Sequence, residues 1–304
     1  MISRSTLEGL LAGLAAALIG GAWQVVTRQS TTTTIAPADL AILRYGIPAL
    51  VLLPVLWRTG LWPKWVPRCV LFTMLAGAGL PFGLLAMAGT RFAPAAHMGV
   101  LMAGASPLFA AGLAWALWRD RPGRSRLAGL ACLALGVALL GGSALLGASP
   151  AGAWRGDAMF LLAALLWAGF TLSFQRTGLT AWQGASLVNA WSCLCLAPWL
   201  LWRGEVLLIT APLRDLLFQA VWQGVLAGLL GLWSFSIAIS RLGAARAASF
   251  GALAPVVATL GGWWWLGDAP SALELAAVAL AVLGVALVSG VLSLARQPQT
   301  AFTD

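Results

Sequence analysis

Two stretches set the terms for this chain. Leu7 to Val26 and Leu273 to Leu294 are almost unbroken apolar runs, each about the ~20 residues that carry a helix across ~30 Å of hydrocarbon. Polar, proline and glycine punctuation divides the 304 residues into ten such spans, at 6–27, 38–57, 69–90, 95–118, 126–147, 156–176, 182–202, 215–240, 246–266 and 271–294. Only Arg91 and Pro94 separate the third span from the fourth. Charged residues make up 9% of the chain and mean hydropathy is +0.90, whereas soluble domains carry roughly 25% charge. A chain this poor in charge cannot cover a water-facing surface. The apolar–polar alternation of an outer-membrane barrel is absent, so the expected class is an all-α polytopic membrane protein. Arg4 before an apolar stretch is also how a signal peptide begins. This stretch outruns a usual signal core and has a counterpart later in the chain, so it reads as a retained first span.

The net charge of +9 would suggest nucleic-acid binding in a soluble protein. Here the arginines fall in short loops between spans, where they set orientation and meet anionic lipid, and no basic polar domain offers a nucleic-acid surface. With the N-terminus inside, twelve of the eighteen Lys and Arg residues lie on the cytoplasmic side and five outside, Arg44 alone falling within a span. The positive-inside rule therefore places both termini in the cytoplasm. Cys69, Cys132, Cys193 and Cys195 lie in or beside apolar runs without a histidine cluster and read as structural, reduced thiols.

The chain also repeats. Shifted by 148 residues, Leu135-Gly136-Val137-Ala138-Leu139 falls on Leu283-Gly284-Val285-Ala286-Leu287. The same shift pairs Pro107 with Pro255, Trp115 with Trp263, Asp120 with Asp268 and Pro122 with Pro270. A shift of 147 pairs Leu14-Ala15-Ala16-Ala17-Leu18 with Leu161-Leu162-Ala163-Ala164-Leu165. Two repeats, 1–150 and 151–304, each hold five spans. An odd number sends the second copy into the membrane from the opposite face, which is the inverted-repeat plan of many secondary transporters.

Ala41-Ile42-Leu43-Arg44-Tyr45, Gly156-Asp157 through Leu166-Trp167-Ala168, and Ala254-Pro255 through Leu266-Gly267-Asp268 with the following Leu-Gly-Val-Ala-Leu run resemble the EamA-type members of the drug/metabolite transporter superfamily. The resemblance covers nearly the whole chain, and within that superfamily it is greatest to the bacterial amino-acid exporters, the aromatic ones in particular. It departs at Trp118-Arg119-Asp120, where the first half lacks the Gly-acid pair of Gly267-Asp268. The resemblance implies a bacterial inner-membrane carrier, working as a monomer, that moves a small metabolite outward through a central cavity. That cavity would be walled by helices one, three, four and six and closed by eight and nine, with five and ten peripheral.

Several polar residues within spans are candidate substrate contacts. Arg44 carries a charge at membrane depth with no carboxylate near it in sequence; it reads either as an attractor of a substrate carboxylate or as a headgroup anchor. His97, the only histidine, reads as a substrate contact or as a ring satisfied by a neighbouring helix. Gly20, Trp23, Gln24 and Thr27 share a face of the first helix by i, i+3, i+4, i+7 spacing. The repeat sets Trp167, Phe170, Thr171 and Phe174 at the matching places of the sixth. An aromatic–polar stripe suits an organic solute with an apolar body, and it equally suits an ordinary packed interface. Ser106, Asn189, Ser234, Ser236 and Ser249 are further polar points. Pro107 and Pro255 each remove a helix hydrogen bond and are expected as paired mid-span hinges. Most of the seventeen tryptophans, among them Trp57, Trp62, Trp65, Trp118, Trp199 and Trp202, sit at span ends and read as an interfacial belt.

No Asp or Glu falls in the middle of a span, so facilitated diffusion or exchange is expected rather than strong proton coupling. There is no phosphate-binding glycine loop and no Ser/His/Asp constellation, so neither an enzyme nor a bound cofactor or metal is expected. No ring of like charges suggests a channel.

Overall fold

The computed structural model describes residues 4–33, 35–119, 121–145, 150–203, 211–243, 246–247 and 250–288. All regular structure among these is helical. Seven helices are long and apolar enough to cross a membrane, or eight if one bent pair is counted as a span. The first is α1 (Arg4–Thr33), whose 30 residues extend about 45 Å. The bent pair is α2 (Pro37–Val51) with α3 (Leu53–Thr59), turned by 66° at Leu52, where Pro48 and Pro54 flank the break. Next come α4 (Arg68–Ala78) and α5 (Leu80–Gly89), then α6 (Ala95–Trp118), α7 (Arg124–Leu145), α8 (Ala153–Phe174) and α9 (Ala181–Arg203). The eighth stretch joins α10 (Leu213–Gln219), a π-helical segment (Ala220–Gly231) and α11 (Leu232–Leu242). A 3₁₀ turn (Phe250–Ala252) leads into α12 (Leu253–Gly261), a π turn (Gly262–Leu266) and α13 (Ala272–Val288). The two last apolar helical stretches, 250–266 and 272–288, are shorter than the seven.

The separation of α5 from α6 matches the division expected at 90–95. The break between α4 and α5 lies inside a stretch that reads as one continuous span. Gly79 adopts φ −89°, ψ −153°, and Pro81 in the first turn of α5 has no N–H to continue the ladder. Side chains of other helices bond the backbone on both sides of the break. Tyr45 Oη donates to Gly79 O at 2.6 Å, and Leu80 N donates to Ser192 Oγ at 2.9 Å. Tyr45→Phe will remove one of the two bonds to that carbonyl, which keeps the Gly83 N–H at 3.0 Å, and should cost about 1 kcal/mol. A lower thermal midpoint in detergent, with helix content unchanged, is the measurement that checks it.

The bundle packs through small residues, as membrane helices do where lipid supplies no hydrophobic drive. α7 lies along α13 so closely that a Cβ on Gly129 would come within 2.7 Å of the Gly284 carbonyl oxygen. The π-helical segment presses on α2 in the same way, where a side chain at Gly228 would collide with the Arg44 carbonyl. Apolar side chains point outward in quantity: Trp57 is 86%, Trp202 85% and Trp264 89% exposed. That is the surface expected of a protein solvated by lipid.

Candidate functional site

At the centre of the bundle lies a cavity of about 500 Å³. Its walls come from α1, α5, α6, α8, the end of the π-helical segment with α11, and the start of α12, with single side chains Arg44 from α2, Arg126 from α7 and Val288 from α13. These are the helices that the family resemblance assigns to the basket, supplemented by one residue each from the second, fifth and tenth spans. Exposed Gln175 and Arg176, with Trp118 and Arg126, line the cavity at one end of the bundle, so it opens there. Arg176 lies over the Trp118 ring at 3.5 Å, which gives Trp118 a place at the mouth rather than only in the interfacial belt.

The deep end is polar. The Arg44 guanidinium stands over the Trp23 ring at 4.3 Å and the Tyr45 ring at 5.7 Å. Arg44 is only 7% exposed, so it does not reach out of the bundle as a headgroup anchor would. Its Nε and Nη1 have no hydrogen-bond partner, and no carboxylate among the described residues pairs with it. A buried cation stacked on ring faces with two open N–H groups retains unsatisfied donors. Gln24 Oε1, on the same cavity wall, is likewise buried without a donor.

Trp23 is fixed from the other half of the chain. Its indole Nε1 donates to Gln223 Oε1 at 2.7 Å, and Gln223 Nε2 donates to Thr27 Oγ1 at 3.0 Å and Gln219 Oε1 at 3.2 Å. Gln223 sits within the π-helical segment, a geometry that recurs at functional sites. The sequence reading passes over both glutamines, although an i, i+4 amide pair inside an apolar span is a visible signal.

The side walls are aromatic. Trp23, Phe82, Trp167 and Phe235 form a continuous run, with centroid distances of 6.3, 5.0 and 5.2 Å between successive rings. Phe170 and Phe174 continue it away from the cavity, buried in the core. Of the expected stripe on the sixth span, Trp167 and Thr171 line the cavity, the latter bonded to its own helix through Trp167 O at 2.9 Å. Trp167→Ala would open one wall of the aromatic run. Any saturable uptake of an aromatic solute should weaken about tenfold, read as a rise in KM.

Trp23, Gln24, Arg44, Ser106, Trp167, Thr171 and Pro107 all line the cavity. Asn189 does not; it is buried, donating to Ala185 O at 2.8 Å on its own helix. Ser249 lies outside the described residues. The prolines are not equivalent. Pro107 sits midway along a continuous α6, whereas Pro255 is the third residue of α12, in its first turn. There Pro255 packs on Gly99, where a Cβ would lie 2.8 Å from the proline Cα.

His97 also lies away from the cavity, in the first turn of α6 at the end opposite the mouth. Its Nδ1 meets Asp157 Oδ1 on α8 at 2.8 Å and its Nε2 lies 3.4 Å from Glu274 Oε1 on α13. The two carboxylates read as isolated span-end residues in sequence; the fold brings both onto one buried imidazole. Beside this cluster, Arg28 Nε donates to Asp268 Oδ2 at 2.7 Å, and Nη1 donates to Thr90 O at 2.8 Å and Ala93 O at 2.9 Å. These bonds tie α1, the α5–α6 connection and the α12–α13 connection together and shut the deep end of the cavity.

A bundle of membrane-length helices around a central cavity, open at one end and tied shut at the other, has the architecture of a membrane transporter for small molecules. The chain belongs to the EamA-like transporter family, which it matches over residues 7–142 and 154–290, once in each half. No curated protein matches it in sequence. A solved crystal structure with 22% identity covers 99% of this chain and 100% of its own, with a TM-score of 0.60; the shared property there is the fold.

Proposed function

We propose that this transporter is a bacterial inner-membrane exporter of amino acids, aromatic and other neutral ones, or related small metabolites that join a carboxylate to an apolar body. It works by alternating access through the central cavity. The observation that carries this reading is Arg44, a buried guanidinium with open donors at the closed end of an aromatic-walled cavity. A carboxylate would satisfy those donors in a charge-assisted, bidentate geometry, while the substrate's apolar body lay along Trp23, Phe82 and Trp167.

The sidedness of charge supports a cytoplasmic mouth, with Arg126 and Arg176, which would make the described state the loading state of an exporter. Both termini would then be cytoplasmic. The arrangement of helices supports ten spans in two inverted repeats. α1 packs on α11 as α8 packs on α4, and the last helices of the two halves, α7 and α13, lie against each other. The absence of a carboxylate from the described cavity lining supports facilitated diffusion or exchange.

Counterflow tests the reading. Proteoliposomes preloaded with mixed neutral amino acids should accumulate labelled tryptophan, methionine or threonine saturably. Gln24→Ala should weaken the accumulation several-fold by removing a cavity acceptor. Absence of counterflow for all three labels, with protein that remains monodisperse, would overturn the amino-acid reading.

A further inference from the structure

Three cationic side chains line the cavity: Arg44 at the deep end, Arg126 and Arg176 at the mouth. No Asp or Glu is among its described lining residues. The carboxylates of Asp39, Asp157, Asp268 and Glu274 lie outside that lining; Asp268 is held by Arg28, and Asp157 and Glu274 meet His97. A cleft lined by one sign of charge between low-dielectric walls concentrates solutes of the opposite sign. Among the described lining residues, the buried side-chain atoms without a partner belong to one cation, Arg44, and one neutral acceptor, Gln24 Oε1.

A zwitterionic amino acid meets only half of its needs there. Its carboxylate finds Arg44, but its ammonium would leave water for walls with no carboxylate among their described residues and would lie in the field of the guanidinium that holds the carboxylate. Burying an unpaired charge is far more costly than burying a hydroxyl, which needs a single acceptor. We infer that, among the carboxylate-bearing solutes assigned to this cavity, the preferred substrates are net anions: aromatic or apolar 2-hydroxy and related monocarboxylates rather than the matching amino acids. Arg44 receives the carboxylate, Gln24 accepts the 2-hydroxyl hydrogen, and the aromatic run holds the body. This rests on the reading of the cavity as the substrate site and ranks substrates within it.

The test uses three solutes of one skeleton: phenyllactate (anion), phenylalanine (zwitterion) and phenylalaninol (cation). Each competes against labelled phenyllactate and labelled phenylalanine in counterflow by the purified full chain in proteoliposomes at pH 7.5, with protein-free vesicles as background. Expected is saturable phenyllactate flux, inhibited by unlabelled phenyllactate at concentrations roughly tenfold or more below those needed of phenylalanine, with phenylalaninol weakest. Arg44→Gln should erase the ranking, and Arg44→Lys should keep its order. If Arg44→Gln fails to fold, the wild-type ranking alone decides. Phenylalanine equal to or better than phenyllactate overturns the inference while leaving the transport reading intact. Saturable flux of neither label overturns the cavity reading itself, and the inference with it.

Discussion

Asp157→Ala will destabilise the protein by about 3 kcal/mol, the usual consequence of removing one member of a buried charge-bearing pair. The expectation comes from the position of His97. Its side chain is 2% exposed and that of Asp157 5% exposed, so water cannot take the place of the lost oxygen. The imidazole Nδ1 would be left facing a small apolar void between α6 and α8. Asp157→Asn should cost much less, because an amide oxygen can still accept from Nδ1. Thermal unfolding in detergent compares the two. Equal midpoints for Asp157→Ala and wild type would mean that the contact contributes nothing to the fold. A double replacement, His97→Leu with Asp157→Leu, should recover part of the loss, since it removes both members of the close pair and leaves Glu274 still bonded to Ser271.

Breaking the Arg28–Asp268 contact should act on conformation rather than on folding. Arg28 Nε bonds the carboxylate of Asp268, while Nη1 reaches two backbone carbonyls of the α5–α6 connection. On the alternating-access reading, these bonds exist only while the deep end is shut. Arg28→Gln removes the charge-assisted contacts. At about 2 kcal/mol, that loss shifts the closed-to-open ratio roughly thirtyfold. A cysteine replacing buried Ser30, in a background without native cysteines, would report the shift as faster modification by a membrane-impermeant maleimide added from the Arg28 side. The charge-swapped pair, Arg28→Asp with Asp268→Arg, should not restore slow labelling, because an aspartate cannot donate to Thr90 O or Ala93 O. Unchanged labelling in Arg28→Gln would show that the deep end is held shut by packing alone.

How much of this could be read beforehand follows from the range of each interaction. Apolar periodicity and span length are local, so the helical class and the position of most spans are visible from residues a few places apart. The break between α4 and α5 is written in Gly79 and Pro81. It stays ambiguous in sequence, since proline kinks and proline breaks look alike until Ser192 is seen to accept from the freed Leu80 N–H. Trp23, Gln24 and Arg44 stand out because a polar residue within a span must face something other than lipid. The partners of Arg28 and His97 are another matter. Arg28 and Asp268 are 240 residues apart, and His97 and Asp157 are 60 apart. No spacing rule links them, since each pair forms only when helices from the two halves meet. The unequal placement of Pro107 and Pro255 has a similar cause. Alignment of the repeats fixes their equivalence in sequence, but the 3₁₀ turn that starts the ninth span shortens the helix before Pro255.

Trp23 is a junction between the two halves of the chain. One face of its indole carries the guanidinium of Arg44, and its edge is bonded to Gln223 in the second half of the chain. The cation of the cavity and an amide of the second repeat thus share one indole, which joins the two halves at the polar end of the cavity.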